Sequence, residues 1–198
     1  MSESTDTGSY FFFKSPLGPL LVAEKDGYLV RIDFTERSNT RISSSLIEGF
    51  REAETPLLSE ARRQLEEYFQ GKRTGFNLPY QLKGTFFQKQ AWETLLKIGY
   101  GEIWSYAKQA SSMGRPKAVR AVGQANGRNP LTIVIPCHRV TGKNGSLTGY
   151  GSGLERKQQL LDLEREIQPR TKALVLISLP MVVDAPCPVI TVVASSSL

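Results

Sequence analysis

The chain has 198 residues, 40% hydrophobic and 22% charged, enough to bury a core in one large domain or two small ones. Its opening, Met1-Ser2-Glu3-Ser4-Thr5-Asp6, is acidic and polar, and no apolar run is long enough for a bilayer, so neither a secretory signal nor a membrane span is expected. The formal net charge of +6 is uneven: residues 83–168 carry 13 basic and 6 acidic side chains, with no acid at all in Tyr106–Lys143, which on charge alone fits a polyanion such as nucleic acid and a merely solvated basic face equally well.

Three strands are expected first, over Tyr10–Lys14, Leu20–Glu24 and Tyr28–Phe34, with Lys25-Asp26-Gly27 turning the last two into a hairpin. In the third, Tyr28, Val30, Ile32 and Phe34 alternate with Leu29, Arg31 and Asp33, which predicts one buried face. Two helices follow before residue 72. The second has Thr55 as cap, Pro56 at its first position, a stripe of Leu58, Ala61, Leu65 and Tyr68 or Phe69, and Gly71 as its stop. Gly75–Gly84, with Pro79, reads as a linker.

Thr85 is placed to cap a helix whose buried stripe is Phe87, Ala91, Trp92, Leu95 and Leu96, ended by Gly99. A shorter helix starts near Ser105. After the breaker Met113-Gly114-Arg115-Pro116 another runs from about Lys117 to Ala125, and the pair matches a helix-turn-helix. On its second helix Ala118, Ala121, Val122 and Ala125 are expected inside, with Lys117, Arg120 and Gln124 on the face that meets DNA. Leu131–Ile135 reads as a short apolar strand, Gly142–Gly153 as a glycine-rich loop and Leu154–Glu166 as a final amphipathic helix. Ala173–Val183 is apolar, either an extra strand or a loose tail, and carries no functional reading.

The chemistry centres on Cys137 and His138, one of two cysteines beside the single histidine. Two cysteines make no disulfide framework and suit a reducing compartment. A cysteine attacks only as thiolate, so it needs a base or a positive setting. Pro136 is able to open a short helical turn that places the sulfur at a helix N-terminus, and Arg139 adds positive charge nearby. A structural cysteine beside an incidental histidine is the plainer reading of these two residues alone. A thiolate–imidazole metal cage lacks ligands. Gly149-Tyr150-Gly151-Ser152-Gly153 lacks the Gly-Lys-Ser/Thr of a phosphate loop. A cysteine hydrolase draws its histidine from elsewhere in the chain.

Asn129-Pro130 followed by Ile135-Pro136-Cys137-His138-Arg139-Val140 resembles the active-site signature of the O6-alkylguanine-DNA alkyltransferases. Phe87-Gln88, Trp92, Tyr100-Gly101-Glu102, Ser105-Tyr106, Arg120-Ala121-Val122-Gly123, Ala125-Asn126, Gly149-Tyr150 and Gly153-Leu154 extend the resemblance over roughly residues 83–165. It implies an α/β (α+β) N-terminal domain with a small antiparallel sheet (residues 1–82), and a mostly helical, winged-helix-like C-terminal domain containing the helix-turn-helix (residues 83–168). An apolar tail (residues 169–198) matches nothing in the family.

The resemblance also implies roles. Cys137 would accept the alkyl group, His138 would deprotonate it through a water, Glu164 would orient the imidazole and Asn129 would hold the turn presenting the sulfur. Tyr106 would protonate the departing guanine, and Val140, Tyr150 and Gly151 would line the base pocket. Arg120 would fill the gap left by the extruded nucleotide, with Arg115, Lys117 and Arg128 on phosphates, in the minor groove of double-stranded DNA. The implied activity is irreversible, single-turnover transfer of methyl or larger alkyl groups from O6-alkylguanine, with O4-alkylthymine a further candidate, by a cytoplasmic monomer (nuclear in a eukaryote) needing no cofactor or metal. The alternatives are a non-catalytic alkyltransferase-like lesion binder, which lacks the acceptor cysteine, and a helix-turn-helix transcription factor, which requires sequence-specific affinity. Two departures stand out: Thr132 replaces a second proline found in many members, and the N-terminal cysteines of sensor-type relatives are absent.

Overall fold

The computed structural model describes residues 8–35 and 47–177, with side chains as far as residue 167. Strands β1 (Ser9–Ser15), β2 (Gly18–Lys25) and β3 (Tyr28–Phe34) are antiparallel neighbours. The β2–β3 turn consists of Asp26 and Gly27 at φ 55° and 77°, the left-handed pair whose twist suits a two-residue hairpin. A short β4 (Arg51–Glu52), not foreseen in the sequence, adds in parallel to β1 and completes the order β3-β2-β1-β4. The helix expected before Thr55 falls largely outside the described residues; what is described there, residues 47–54, is a turn and β4.

The simple alternation expected for β3 is overturned. A register shift between Ala23 and Glu24 of β2 brings Leu29, Ile32 and Phe34 fully inside and leaves Tyr28 46% exposed. A bulge adds one residue on one strand and so changes which side chains face the core.

Helix α1 (Pro56–Phe69) begins as its local chemistry dictates. The Thr55 side chain accepts from Leu58 N, Pro56 needs no donor at the first turn, and Leu58, Ala61, Leu65 and Tyr68 are buried. The linker is fastened to the sheet: Leu29 N donates to Pro79 O and Gln81 N to Leu29 O, each at 2.9 Å.

Helix α2 (Phe86–Leu95) starts in a reciprocal capping box between Thr85 and Gln88. Ala91, Trp92 and Leu95 are buried, whereas Leu96 is 44% exposed because the helix has already ended there. Helices α3 (Tyr106–Ser112, capped by Ser105) and α4 (Val119–Asn126) form the helix-turn-helix. Trp92 Nε1 donates to Ala125 O at 2.8 Å, and the Gln109 and Asn126 amides donate to each other at 3.1 and 2.7 Å. That pairing sets the rotation of α4: Val122, Ala125 and Asn126 face inward, while Ala121, expected inside, is exposed.

Leu131–Ile135 is a tight turn, not a strand. Ile135 N donates to Leu131 O at 2.8 Å, and Ile133 takes φ 74°. It is apolar because it lies under β3, where Ile32 N donates to Pro130 O and Thr132 N to Ile32 O; a short apolar run signals burial without specifying a strand. Cys137–Arg139 then make one 3-10 turn, and β6 (Val140–Thr141) pairs in parallel with β5 (Trp104–Ser105). Helix α5 (Leu154–Ile177) has 24 residues and runs on through Pro169, past the expected end at Glu166. Ala173 to Ile177 are therefore helical, and the rest of the apolar tail, with Cys187, lies outside the described residues. No helix among the described residues is long and apolar enough to cross a membrane.

Candidate active site and nucleic-acid interface

The turn after α4 builds the nucleophile's seat. Asn129 Nδ2 donates to Ile135 O at 2.7 Å and to Cys137 Sγ at 3.1 Å, while its Oδ1 accepts from Leu131 N at 3.0 Å. One amide thus closes the loop and touches the sulfur, a combination that no smaller polar residue supplies. Cys137 is 6% exposed, in one apolar cluster with Val140 and Tyr150.

The basic groups next to Cys137 in sequence point elsewhere. His138 Nε2 lies 2.9 Å from Glu164 Oε1, and Arg139 grips both oxygens of Glu164 through Nε and Nη2 and donates to Ile98 O through Nη1 at 2.7 Å. Tyr68 Oη, from α1, donates to Glu164 Oε1 at 2.8 Å, and Gly101 N donates to Oε2 at 2.9 Å. Both carboxylate oxygens are therefore saturated by donors. Burial works to raise the Glu164 pKa, but the hydrogen bonds and charges of His138 and Arg139 outweigh it and hold it far below the usual carboxylate range. Burial lowers the His138 pKa, so the ring is neutral near pH 7. Facing a carboxylate, Nε2 carries the proton, and Nδ1, buried without a hydrogen-bond partner, is a lone pair.

The resting sulfur differs from expectation. Burial pushes the Cys137 thiol up to about 11, against the Asn129 hydrogen bond and the Lys157 charge, with Asp33 adding to the rise. The 3-10 turn is too short to act as a helix N-terminus, and Arg139 serves Glu164. The thiol is therefore protonated until something removes the proton.

Tyr106 Oη donates to Thr148 O at 2.8 Å and Gly149 O at 3.2 Å; burial, chiefly, raises its pKa. Gly149, at φ 60°, leaves room for that contact, since a Cβ there would sit 3.0 Å from the phenol oxygen. Gly151 is exposed, and a Cβ on it would lie 3.2 Å from Gly127 O, at the end of α4.

Three residues of this region escaped the sequence reading. Lys157 on α5 is fully buried; its Nζ donates to Thr148 O at 2.8 Å and lies 5.6 Å from the Tyr106 ring centroid. Burial pulls its pKa down to about 8. Asp33 on β3 pairs with Arg31 at 3.0 Å, and burial raises its pKa. Ser152 is buried in the glycine-rich loop, two residues from Tyr150.

Arg115, Lys117, Arg120 and Arg128 are all exposed, on and around α4, with the Arg115 guanidinium 5.8 Å from the Phe87 ring centroid. This basic face belongs to the same unit as the sulfur, since α4 leads directly into Asn129. Among the described residues no three His, Cys, Asp or Glu side chains gather as metal ligands.

Both halves of the chain match one family. Residues 86–166 match the family described as 6-O-methylguanine DNA methyltransferase, DNA binding domain, and residues 9–82 its ribonuclease-like domain. The constitutive methylated-DNA–protein-cysteine methyltransferase of Bacillus subtilis is 48% identical over 79% of this chain and 94% of its own length. A methylated-DNA–protein-cysteine methyltransferase of Methanosarcina barkeri is 46% identical over 78% of this chain and 96% of its own. The crystal structure of Mycobacterium tuberculosis O6-methylguanine methyltransferase superposes with a TM-score of 0.76 at 40% identity, over 85% of this chain and 99% of that one. A structure of OGT from the same organism in complex with DNA gives a TM-score of 0.71 at 41% identity, over 80% of this chain and 94% of that one.

Proposed function

From this chain's membership of the methylated-DNA–protein-cysteine methyltransferase family, a family of DNA-repair proteins acting by alkyl transfer, we propose that Cys137 is the acceptor and an O6-alkylguanine in duplex DNA the donor. The observation that carries this is a neutral, carboxylate-anchored imidazole on the residue that follows a buried thiol: Glu164 fixes the proton on Nε2 of His138 and leaves Nδ1 free to act as the base.

His138 Nδ1 takes the thiol proton through a water, and the imidazolium so formed is stabilised by Glu164. The thiolate attacks the alkyl carbon as the carbon–O6 bond breaks and its electrons return to the purine. Tyr106 exchanges the Thr148 and Gly149 carbonyls for the base and donates to it as it leaves. Because the sulfur is buried, the base must swing out of the helix, at a cost of about a few kcal/mol. Val140, Tyr150 and Gly151 form the pocket that receives it, and Arg120 fills the gap from the minor groove. Arg115, Lys117 and Arg128 hold phosphates without reading sequence. The thioether formed has no hydrolytic partner nearby, so each molecule, a monomer, acts once. O4-alkylthymine enters the same pocket as a second substrate.

Stoichiometry tests this reading. Methyl transfer should stop at one group per protein molecule, and Cys137→Ser should bind lesion-bearing duplex yet leave it methylated. Turnover beyond one, or repair by Cys137→Ser, contradicts it; a wild-type chain that binds lesions without repairing them is the non-catalytic alternative.

A further inference from the structure

The carboxylate behind His138 takes one donor from the other half of the chain, and the mechanism above gives that donor nothing to do. Glu164 Oε1 accepts from Tyr68 Oη at 2.8 Å, from His138 Nε2 at 2.9 Å and from Arg139 Nη2 at 2.9 Å. A carboxylate oxygen offers about two lone-pair directions, so three donors crowd this one. Oε2 takes Gly101 N and Arg139 Nε, each at 2.9 Å. Tyr68 is held firmly in place. It lies in the last turn of α1, is fully buried, and packs edge-on against Phe69 and Tyr100 with ring centroids 5.4 and 6.0 Å away. Phe76 packs on it at 5.5 Å. Burial, and then the Glu164 charge, keep the phenol protonated well past its ordinary range, so it remains a donor.

Donors that share an acceptor compete, because each draws charge from the same oxygen. What Tyr68 takes from Oε1 is not offered to His138. We propose that Tyr68 is a positioning residue for alkyl transfer: by occupying Oε1 it limits the grip of Glu164 on His138 and keeps the imidazole a neutral base instead of an imidazolium locked to the carboxylate. Tyr68 touches neither the purine nor the sulfur in this role; it acts through Glu164. Burial, and then the charges of Arg139 and Lys157, oppose protonation of the ring, whereas Glu164 favours it. Tyr100, from the loop after α2, feels the same carboxylate and the same arginine. Removing the Tyr68 hydroxyl therefore strengthens the influence that charges His138. The inference rests on the assignment of Cys137 as acceptor with His138 as its base.

His138 is the chain's single histidine, so NMR of the full chain labelled at histidine nitrogen follows its titration directly. Tyr68→Phe removes the hydroxyl and keeps the ring. His138 should then titrate about one unit higher than in wild type, and the acid limb of methyl transfer from an O6-methylguanine duplex should move alkaline with it, a loss of about tenfold below the limb. Affinity for unmodified duplex should not change. Phe76→Leu is the packing control: it loosens the ring cluster, leaves the hydroxyl, and should lower stability without moving the His138 titration. A titration in Tyr68→Phe that is unmoved or moved to acid overturns the proposal. So does an equal shift in Phe76→Leu, which assigns the effect to packing, and so does a rate limb that stays in place while the titration moves. A wild-type chain that transfers nothing overturns the underlying assignment, whatever the titration shows, which separates the two failures.

Discussion

Replacing Glu164 with glutamine tests how the catalytic histidine is held. Oε1 accepts from Tyr68, His138 and Arg139, and Oε2 from Gly101 and Arg139. Whichever way the amide turns, its NH2 meets donors, and Arg139, only 6% exposed, loses its counter-charge. Breaking a buried pair from one side costs about 3–5 kcal/mol, a large part of the roughly 5–15 kcal/mol that holds a typical domain folded. Urea denaturation near neutral pH should show that loss. Adding Arg139→Met removes the orphaned charge and should recover about 2 kcal/mol or more. It should not recover repair: without the carboxylate the His138 proton is no longer fixed on Nε2, and the rate should stay down on the order of a hundredfold or more. A stability loss below about 1 kcal/mol, the scale of an exposed pair, refutes the reasoning, and so does a double variant that regains the rate.

Lys157→Met removes the buried cation that lowers the Cys137 thiol; transfer at neutral pH should slow by about tenfold, the value of one pKa unit, and the pH–rate profile should move to alkaline pH, whereas an unmoved profile contradicts the electrostatic role. Folding stability should fall in acid in two stages. The folded pKa of His138 lies below its ordinary 6.5 and that of Glu164 below 4.5, so each contribution is complete above the ordinary value and is lost progressively below it. Each stage has a slope of about 1.4 kcal/mol per pH unit, and denaturation curves that are flat from pH 7 to pH 5 exclude the first. Arg120→Ala should weaken repair of duplex DNA more than reaction with free O6-methylguanine base, and equal losses remove the arginine from the extrusion step.

Local chemistry carried much of the fold. Thr55-Pro56, the Thr85–Gln88 box and Asp26-Gly27 each act within a few residues, and each marks an element boundary in the structure. The bulge at Ala23 and Glu24 left no such mark, because it is a property of strand pairing, and it reversed the expected placing of Tyr28 and Leu29. Leu131–Ile135 was apolar enough for a strand, yet burial under β3 accounts for its composition equally well. In the site, the motif around Cys137 located the sulfur, His138 and Asn129 together. The acidity of the thiol was not legible, since it depends on how completely both halves of the chain exclude water. Tyr68 reaches Glu164 across 96 residues of sequence, with no local pattern to announce it. Lys157 did leave a trace: with Leu160, Leu161 and Glu164 it lies on the buried stripe of α5, and a charge on an apolar stripe needs a reason.

The most direct test of the central claim is the mass of the protein after incubation with an equimolar O6-methylguanine duplex. One added methyl group, mapped by peptide analysis to the segment containing Cys137 with His138 unmodified, is the predicted result. An unchanged mass with the Cys137 thiol still free, or a methyl group on Cys187, contradicts it.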